Sequence, residues 1–261
     1  MFIDSHCHLN FDCFKGQYAL LLSALAEVDV QKLVIPGTQK SKWADIAQLA
    51  TRYPPLYYAL GIHPHFLSTF EEHDLVVLHQ ELIAAKNKAD NKCVALGEIG
   101  LDKLVDIDVA LQERVFVAQL EIAKALQLPV ILHVVKMQSR VLALLKQTHF
   151  DCGGVYHAFS GSQEIANEFI KLGFKLGIGG VITYPNAHKT KATLSQLPLS
   201  SLVLETDAPD MPLYEQPGLY NSPLHIPRIF EALCALRKES PLLIKQQLCL
   251  NTQSIFPIIN D

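Results

Sequence analysis

Histidine and carboxylate side chains recur at the ends of short apolar segments of this 261-residue chain. The first pair, His6 and His8, closely follows the apolar residues Phe2 and Ile3, and one residue separates the two histidines. Side chains two residues apart on a strand point to the same face, so both imidazoles can bind one metal ion. A lone His-x-His pair is more typical of an exposed strand end. The metal interpretation therefore requires further ligand-type residues at other strand ends.

Further residues of the types that bind metals follow later apolar segments. They are His63 and His65, Glu98, His133, His157 and Asp207. Six of the 11 histidines thus fall at the ends of predicted strands. Four imidazoles and two carboxylates suffice for two divalent ions that share one bridging carboxylate. Such a pair lowers the pKa of a bound water and holds the attacking and leaving oxygens of a hydrolysis. A carboxylate beside that water, here Asp207, can take its proton.

The elements that must position these residues alternate regularly along the chain. The predicted strands cover residues 2–5, 32–36, 56–60, 93–97, 130–132, 154–156, 174–178 and 201–205. The predicted helices cover about residues 17–27, 41–52, 72–86, 108–127, 138–147, 162–172, 187–197, 223–238 and 242–252. This alternation predicts an α/β fold, a (β/α)8 TIM barrel with its metal site at the C-terminal ends of the strands. A doubly wound open sheet is the alternative, but no glycine-rich nucleotide motif follows a strand.

Composition restricts the remaining possibilities. The formal net charge of −4 gives no global basic field for nucleic acid, although a local basic groove stays possible. The six cysteines form no Cys-x-x-Cys pair, which indicates reduced thiols and a cytoplasmic protein. No signal peptide or membrane-spanning segment is evident. We expect a single domain over residues 1–261, a monomer, and no obligate protein partner.

Six motifs, taken in order, resemble those of the TatD-type metal-dependent deoxyribonucleases, which are (β/α)8 barrels of the amidohydrolase superfamily. The motifs are HCH at 6–8, GIHPH at 61–65, GEIGLD at 97–102, LPVILH at 128–133, HAFSG at 157–161 and LETDAP at 204–209. The resemblance extends over nearly the whole chain. Two segments, residues 179–185 and 207–212, look most like the YjjV branch of that family.

The resemblance implies specific roles for these residues. One ion would be bound by His6, His8 and Asp207, and a second by His133 and His157. Glu98 would bridge the two ions, and Asp207 would also be the general base. A metal-bound water would attack a DNA phosphodiester and trim the strand from its 3′ end. The substrate pocket would be lined by His63 and His65, which would contact phosphate or hold an extra ion.

The sequence departs from that family at a position that concerns the substrate. Many relatives have Ser-Arg after the fifth-strand histidine, where this chain has Val134, Val135 and then Lys136. An arginine binds phosphate with two parallel hydrogen bonds, whereas Lys136 would offer only a point charge. A hydrolase of a small phosphoester, lactone or amide is therefore the second hypothesis. A non-catalytic, metal-stabilised protein is the third, although structural sites have no spare carboxylate.

The residue types leave the identity of the two ions open. Sites of imidazoles and carboxylates accept zinc, manganese, cobalt or nickel. Magnesium prefers oxygen ligands, so four histidines argue against it as the most tightly bound ion.

Overall fold

The protein is described by a computed structural model that covers residues 1–216 and 218–260. Eight parallel strands form one sheet in which each strand pairs with the next along the chain. The strands are β1 Phe2–Asp4, β2 Val30–Ile35, β3 Leu56–Leu60, β4 Cys93–Asp102, β5 Val130–Val135, β6 Gly154–Tyr156, β7 Phe174–Ile178 and β8 Leu202–Leu204. The Ser5 amide donates to the carbonyl of Leu204 and the Asp207 amide to that of His6, so β8 meets β1. The predicted (β/α)8 barrel is confirmed.

Helices follow the strands and pack around the outside of the barrel. They are α1 Tyr18–Glu27, α2 Lys40–Arg52, α3 His73–Lys86, α4 Val109–Leu126, α5 Gln138–Gln147, α6 Gln163–Lys171, α7 His188–Gln196, α8 Ile226–Cys234 and α9 Pro241–Ile255. Most begin and end within two residues of the predicted bounds. The predicted helix 223–238 begins later, at Ile226, because Pro227 fits only in a first turn, and a 3-10 turn, Pro223–His225, precedes it. This helix also ends earlier than predicted, at Cys234. No helix among the described residues is long and apolar enough to cross a membrane.

The core has two layers. Side chains inside the barrel form a small apolar cluster that includes Ile3, Val34, Ile131 and Val203, with Phe256 from the C-terminal segment packed against them. A larger layer fills the space between the strands and the helices. The inner apolar layer occupies only part of the barrel. At the C-terminal ends of the strands it gives way to buried histidines and carboxylates.

Two of the predicted strand ends are wrong. β4 continues through Glu98 to Asp102, and β5 continues through His133 to Val135. The two strands stay paired over this extension, from Ile99 opposite Leu132 onward, after an irregularity next to Gly97. Backbone pairing does not depend on the polarity of the side chains. Glu98 and His133 therefore project into the site from within strands.

Candidate metal centre

One group of four ligand-type atoms comes from β4 and from the segments that follow β1 and β8. His6 and His8 follow β1, Asp207 lies three residues beyond β8, and Glu98 projects from β4. The Nε2 atoms of His6 and His8 are 3.3 Å apart. Glu98 Oε2 lies 3.3 Å from His6 Nε2 and 3.5 Å from His8 Nε2. Asp207 Oδ1 lies 3.4 Å and 3.5 Å from the same two nitrogens. We call these four atoms the first donor set.

The spacing of the first donor set fits a bound cation. Ligands at about 2.0–2.1 Å from a tetrahedral zinc ion are separated from one another by about 3.3–3.4 Å. The observed separations between these atoms, 3.3 to 3.5 Å, follow that edge length closely. In addition, Glu98 Oε2 is buried and has no hydrogen-bond partner in the described chain. A cation at the centre of the set would satisfy this oxygen.

A second donor set shares Glu98 with the first. Its members are Glu98 Oε1, His133 Nδ1 from β5 and His157 Nε2, which follows β6. His157 Nε2 lies 2.9 Å from Glu98 Oε1 and 3.1 Å from His133 Nδ1, which is itself 3.0 Å from Glu98 Oε1. The two oxygens of one carboxylate thus face different groups of histidines. This is the arrangement of a bridging ligand between two ions.

The protonation states of these groups are set by their mutual contacts. Burial alone would raise the pKa of Glu98, but the charge of His157 and the hydrogen bond from His133 outweigh burial and hold this pKa well below its usual value. Burial likewise raises the pKa of Asp207, and contacts with His8, His157 and His6 lower it overall. Both carboxylates are therefore ionised at neutral pH. Ionised carboxylates are the form that binds cations.

The histidines of the site differ in the direction in which their pKa is shifted. Burial lowers the pKa of His6, and it lowers the pKa of His63 to about 4, so both imidazoles are neutral. Burial also acts to lower the pKa of His157, but Glu98 and Glu205 raise it well above the usual value. A cation in the second donor set would take the place of that proton, as metal binding to histidine generally does.

A further carboxylate orients His133. Asp102, at the end of β4, lies 3.0 Å from His133 Nε2 and 2.8 Å from His65 Nε2 through the same oxygen, Oδ2. His133 can therefore donate its Nε2–H to Asp102 while Nδ1 faces the second donor set. Carboxylate–histidine–metal chains of this kind fix the orientation of a ligand and strengthen it.

Glu205 lies beside His157 as Asp102 lies beside His133, and the sequence did not lead us to predict this role. The Glu205 carboxylate is completely buried, accepts the Ala158 amide hydrogen and lies 3.7 Å from His157 Nδ1. The position of Glu205 directly after the apolar strand β8 and two residues before Asp207 was the available signal. Burial of the Glu205 carboxylate depends on Gly177 in β7, because a Cβ atom there would overlap it.

We expect Gly177→Ala to destabilise the protein by about 1–3 kcal/mol, since an added methyl group in a packed interior forces its neighbours to move. Displacement of Glu205 should also weaken cation binding by His157. Urea unfolding and a zinc titration of the metal-free protein measure the two effects. Gly179→Ala is the matched control, because its Cβ would lie 3.7 Å from the nearest atom. Equal losses in both variants would contradict this account.

Asp102→Asn should weaken cation binding at the second donor set about 10- to 100-fold, because the amide cannot accept the His133 Nε2–H in the same way. The amide oxygen can still accept the Leu104 amide hydrogen, so the loop should keep its shape. Competition with a chelator measures the affinity. The control is Asp106→Asn, at an exposed carboxylate of the same loop. Unchanged affinity in Asp102→Asn would exclude the positioning role.

The predicted substrate contacts lie at different depths. His63 is buried, with its Nε2 3.3 Å from Glu98 Oε1. Its Nδ1 accepts the His65 amide hydrogen, so in the neutral ring Nε2 carries the proton. The side chain of His65 is 47% exposed at the mouth of the site. Lys136 directly follows β5 with a positive φ of 55° and forms no ion pair within the described residues. Their roles toward substrate stay predictions.

Comparison with known proteins places this site in context. The sequence matches the family model described as TatD related DNase over residues 3–257. It is 43% identical over 258 residues to the metal-dependent hydrolase YjjV of Escherichia coli K12, and the match covers 98% of each chain. It is 30% identical over 237 residues to the 3'-5' ssDNA/RNA exonuclease TatD of Salmonella typhimurium LT2, with coverage of 88% and 89%.

Solved structures agree with the sequence comparison. The crystal structure of YjjV from Escherichia coli K12 matches this fold with a TM-score of 0.93 at 42% identity, over 98% of each chain. A hydrolase of the TatD family from Entamoeba histolytica matches with a TM-score of 0.84 at 21% identity, which shows that the fold is shared.

Proposed function

The chain belongs to the TatD related DNase family of metal-dependent hydrolases, and from that premise we propose that it cleaves phosphodiester bonds of DNA from the 3′ end. The observation that carries the proposal is Glu98, whose two carboxylate oxygens face two separate groups of histidines. A bridging carboxylate of this kind suits a two-cation hydrolase. The exonuclease named among the relatives supports nucleic acid as the substrate class. The interpretation of residues 1–261 as one domain stays part of the proposal, as does a cytoplasmic location.

The donor set chemistry fits divalent cations. His6, His8, Asp207 and Glu98 would hold one cation, and Glu98, His133 and His157 the other. When bound, the two cations would lower the pKa of a water between them and offset the charge of the phosphoryl oxygens. The mixture of nitrogen and oxygen donors suits zinc, manganese, cobalt or nickel more than magnesium.

The protein's own groups supply proton transfer and orientation. Asp207 is ionised and sits at the edge of the first donor set, so it can accept the proton of the attacking water. The oxygen of this water forms a bond to phosphorus, while the bond from phosphorus to the 3′ oxygen of the preceding nucleotide breaks. The released nucleotide keeps its 5′-phosphate.

His63 is suited to hold the phosphate during this reaction. Its neutral ring carries a proton on Nε2, which points toward Glu98 at the centre of the site. A phosphoryl oxygen placed there would accept this hydrogen bond. Because its Nδ1 is already occupied by the His65 amide, we favour His63 as a donor to phosphate over a third cation site. In the proposal, His65 and Lys136 supply positive charge farther out.

A second candidate is hydrolysis of a small phosphoester, lactone or amide. It is favoured by one observation: among the described residues, no arginine lines either the cavity next to His8 or the cavity formed by the loops after β6, β7 and β8. Lysines are the cations there, and they grip phosphate less specifically than arginine does. The two candidate functions use the same metal centre and differ in the substrate that the surrounding residues would bind.

The deciding experiment incubates the zinc- or manganese-loaded protein with 5′-labelled single-stranded DNA. We expect a ladder of products shortened from the 3′ end, and the same DNA labelled at its 3′ end should release a labelled mononucleotide. An intact strand, with two cations per chain by elemental analysis, would overturn the nuclease proposal. Cleavage of small phosphoesters or lactones by the same sample would then establish the second candidate.

A further inference from the structure

A cavity of about 340 Å³ lies directly beside the first donor set. Loops that follow β1, β2, β3 and β8 form its walls, so it opens at the same end of the barrel as the metal centre. Phe11 lines the cavity and stacks on the His8 ring, with ring centroids 4.9 Å apart and an interplanar angle of 27°. Pro209, two residues beyond Asp207, also lines it. The cavity therefore adjoins the first donor set through the contact of Phe11 with His8.

The walls of this cavity are partly aromatic. Phe11, Phe66 and Tyr220 line it, although they come from widely separated parts of the chain. Tyr220 is 74% exposed and has no ring partner among the described residues, so one of its faces is open to a ligand. Exposed aromatic rings beside a positively charged group are the usual platform for an unpaired nucleobase.

The same cavity is lined by polar side chains that can form further hydrogen bonds or ion pairs. The side-chain oxygen of Gln39 is bonded by Ser41, which leaves its amide hydrogens available. The Lys42 ammonium forms no ion pair with any residue in the described ranges, whereas Asp12 is already paired with Lys15 at 2.6 Å. A hydrogen-bond donor and a cation without an ion-pair partner among the described residues thus line the same cavity as the aromatic rings.

We propose that this cavity, which we call the aromatic cavity, binds the nucleobase of one nucleotide adjoining the cleaved phosphodiester, an inference that rests on the proposed function. The base stacks on the aromatic side chains, and its edge meets the side-chain amide of Gln39. Lys42 contacts the backbone phosphate. A volume near the lower end of small-ligand pockets suits one unpaired nucleotide and excludes a duplex. The site therefore selects single-stranded ends.

A second cavity, of about 490 Å³, opens beyond β6 and β7 and provides the comparison. Its aromatic residue, Tyr184, already packs against Tyr214 with ring centroids 5.6 Å apart. The Tyr184 hydroxyl also donates to the carbonyl of Pro212 at 2.9 Å. Because both its ring and its hydroxyl are committed within the protein, Tyr184 is a suitable control position for removal of an aromatic group.

The test compares intact single-stranded DNA with strands that carry an abasic nucleotide at either side of the terminal bond. We expect the abasic change to lower kcat/KM of the wild-type protein about tenfold or more at one of the two positions. In Tyr220→Ala this difference should shrink toward unity, whereas Tyr184→Ala should keep it. Tyr220 is exposed, so its replacement leaves folding intact.

A binding measurement accompanies the cleavage assay. DNA with 2-aminopurine at the sensitive position is mixed with Asp207→Asn protein, and stacking should quench its fluorescence. Adding Tyr220→Ala to this protein should remove most of the quenching. Equal cleavage of intact and abasic DNA by the wild type would overturn the aromatic cavity while leaving the nuclease proposal in place. Cleavage of neither strand would overturn the nuclease proposal and this inference together.

Discussion

Replacing Glu98 with glutamine should cost the protein at least one bound cation per chain and lower its hydrolytic rate about 10³-fold or more. Glu98 supplies one oxygen to each donor set, and both oxygens face imidazole nitrogens at 2.9–3.5 Å. A glutamine side chain keeps one oxygen but places an amide nitrogen where the other ligand oxygen stood. The amide also lacks the negative charge that attracts the cations.

Elemental analysis after dialysis and the DNA-trimming assay measure the two effects separately. Glu121→Gln, on the exposed face of α4, is the matched control for loss of one glutamate charge. Circular dichroism should show that the barrel is retained in both variants. Two tightly bound cations in Glu98→Gln would contradict the bridging role, whatever the rate. Full activity with fewer cations would mean that hydrolysis needs only one donor set.

The sequence predicted which residues come together at this site, but it did not predict all of the contacts among them. His6, His8, His133, His157, Glu98 and Asp207 are spread over about 200 residues, and the structure brings all six together. This outcome follows from topology, because the C-terminal ends of parallel barrel strands meet at one face. The family resemblance carried by the motifs around these residues is confirmed by the family model.

Details that depend on pairing between elements were not predictable. The extension of β4 through Glu98 rests on its register with β5, which no local pattern encodes. Burial of Glu205 requires Gly177 on the neighbouring strand to lack a side chain. The aromatic cavity joins Phe11 to Tyr220, which are distant in sequence. Each of these features is a contact between two segments, so neither segment alone contains the signal.

The electrostatic character of the site was only partly predictable for the same reason. The low pKa of Glu98 results from contacts with His157 and His133, which come from two other strands or the loops that follow them. The neutral state of His63 follows from its burial and from a bond to the His65 backbone. Spacing in the sequence identifies which residues can meet. The folded structure decides which of them carries a proton.

Asp207→Asn should lower the rate of DNA trimming about 10²- to 10⁴-fold at saturating cation, because an amide cannot accept the proton of the attacking water. The fold should tolerate this change well. Asp207 has a left-handed backbone conformation with φ of 59°, and asparagine adopts that conformation more readily than most residues. Its backbone bond to His6 is unaffected by the side chain.

Saturation with cation separates the two roles of Asp207. Asparagine retains an oxygen ligand, so weaker binding at the first donor set can be overcome by added zinc or manganese, whereas loss of the base cannot. Asp210→Asn, three residues further in the same loop and exposed, is the matched control and should keep the wild-type rate. Recovery of the full rate in Asp207→Asn at high cation would show that Asp207 serves as a ligand only. The proton would then pass to another acceptor.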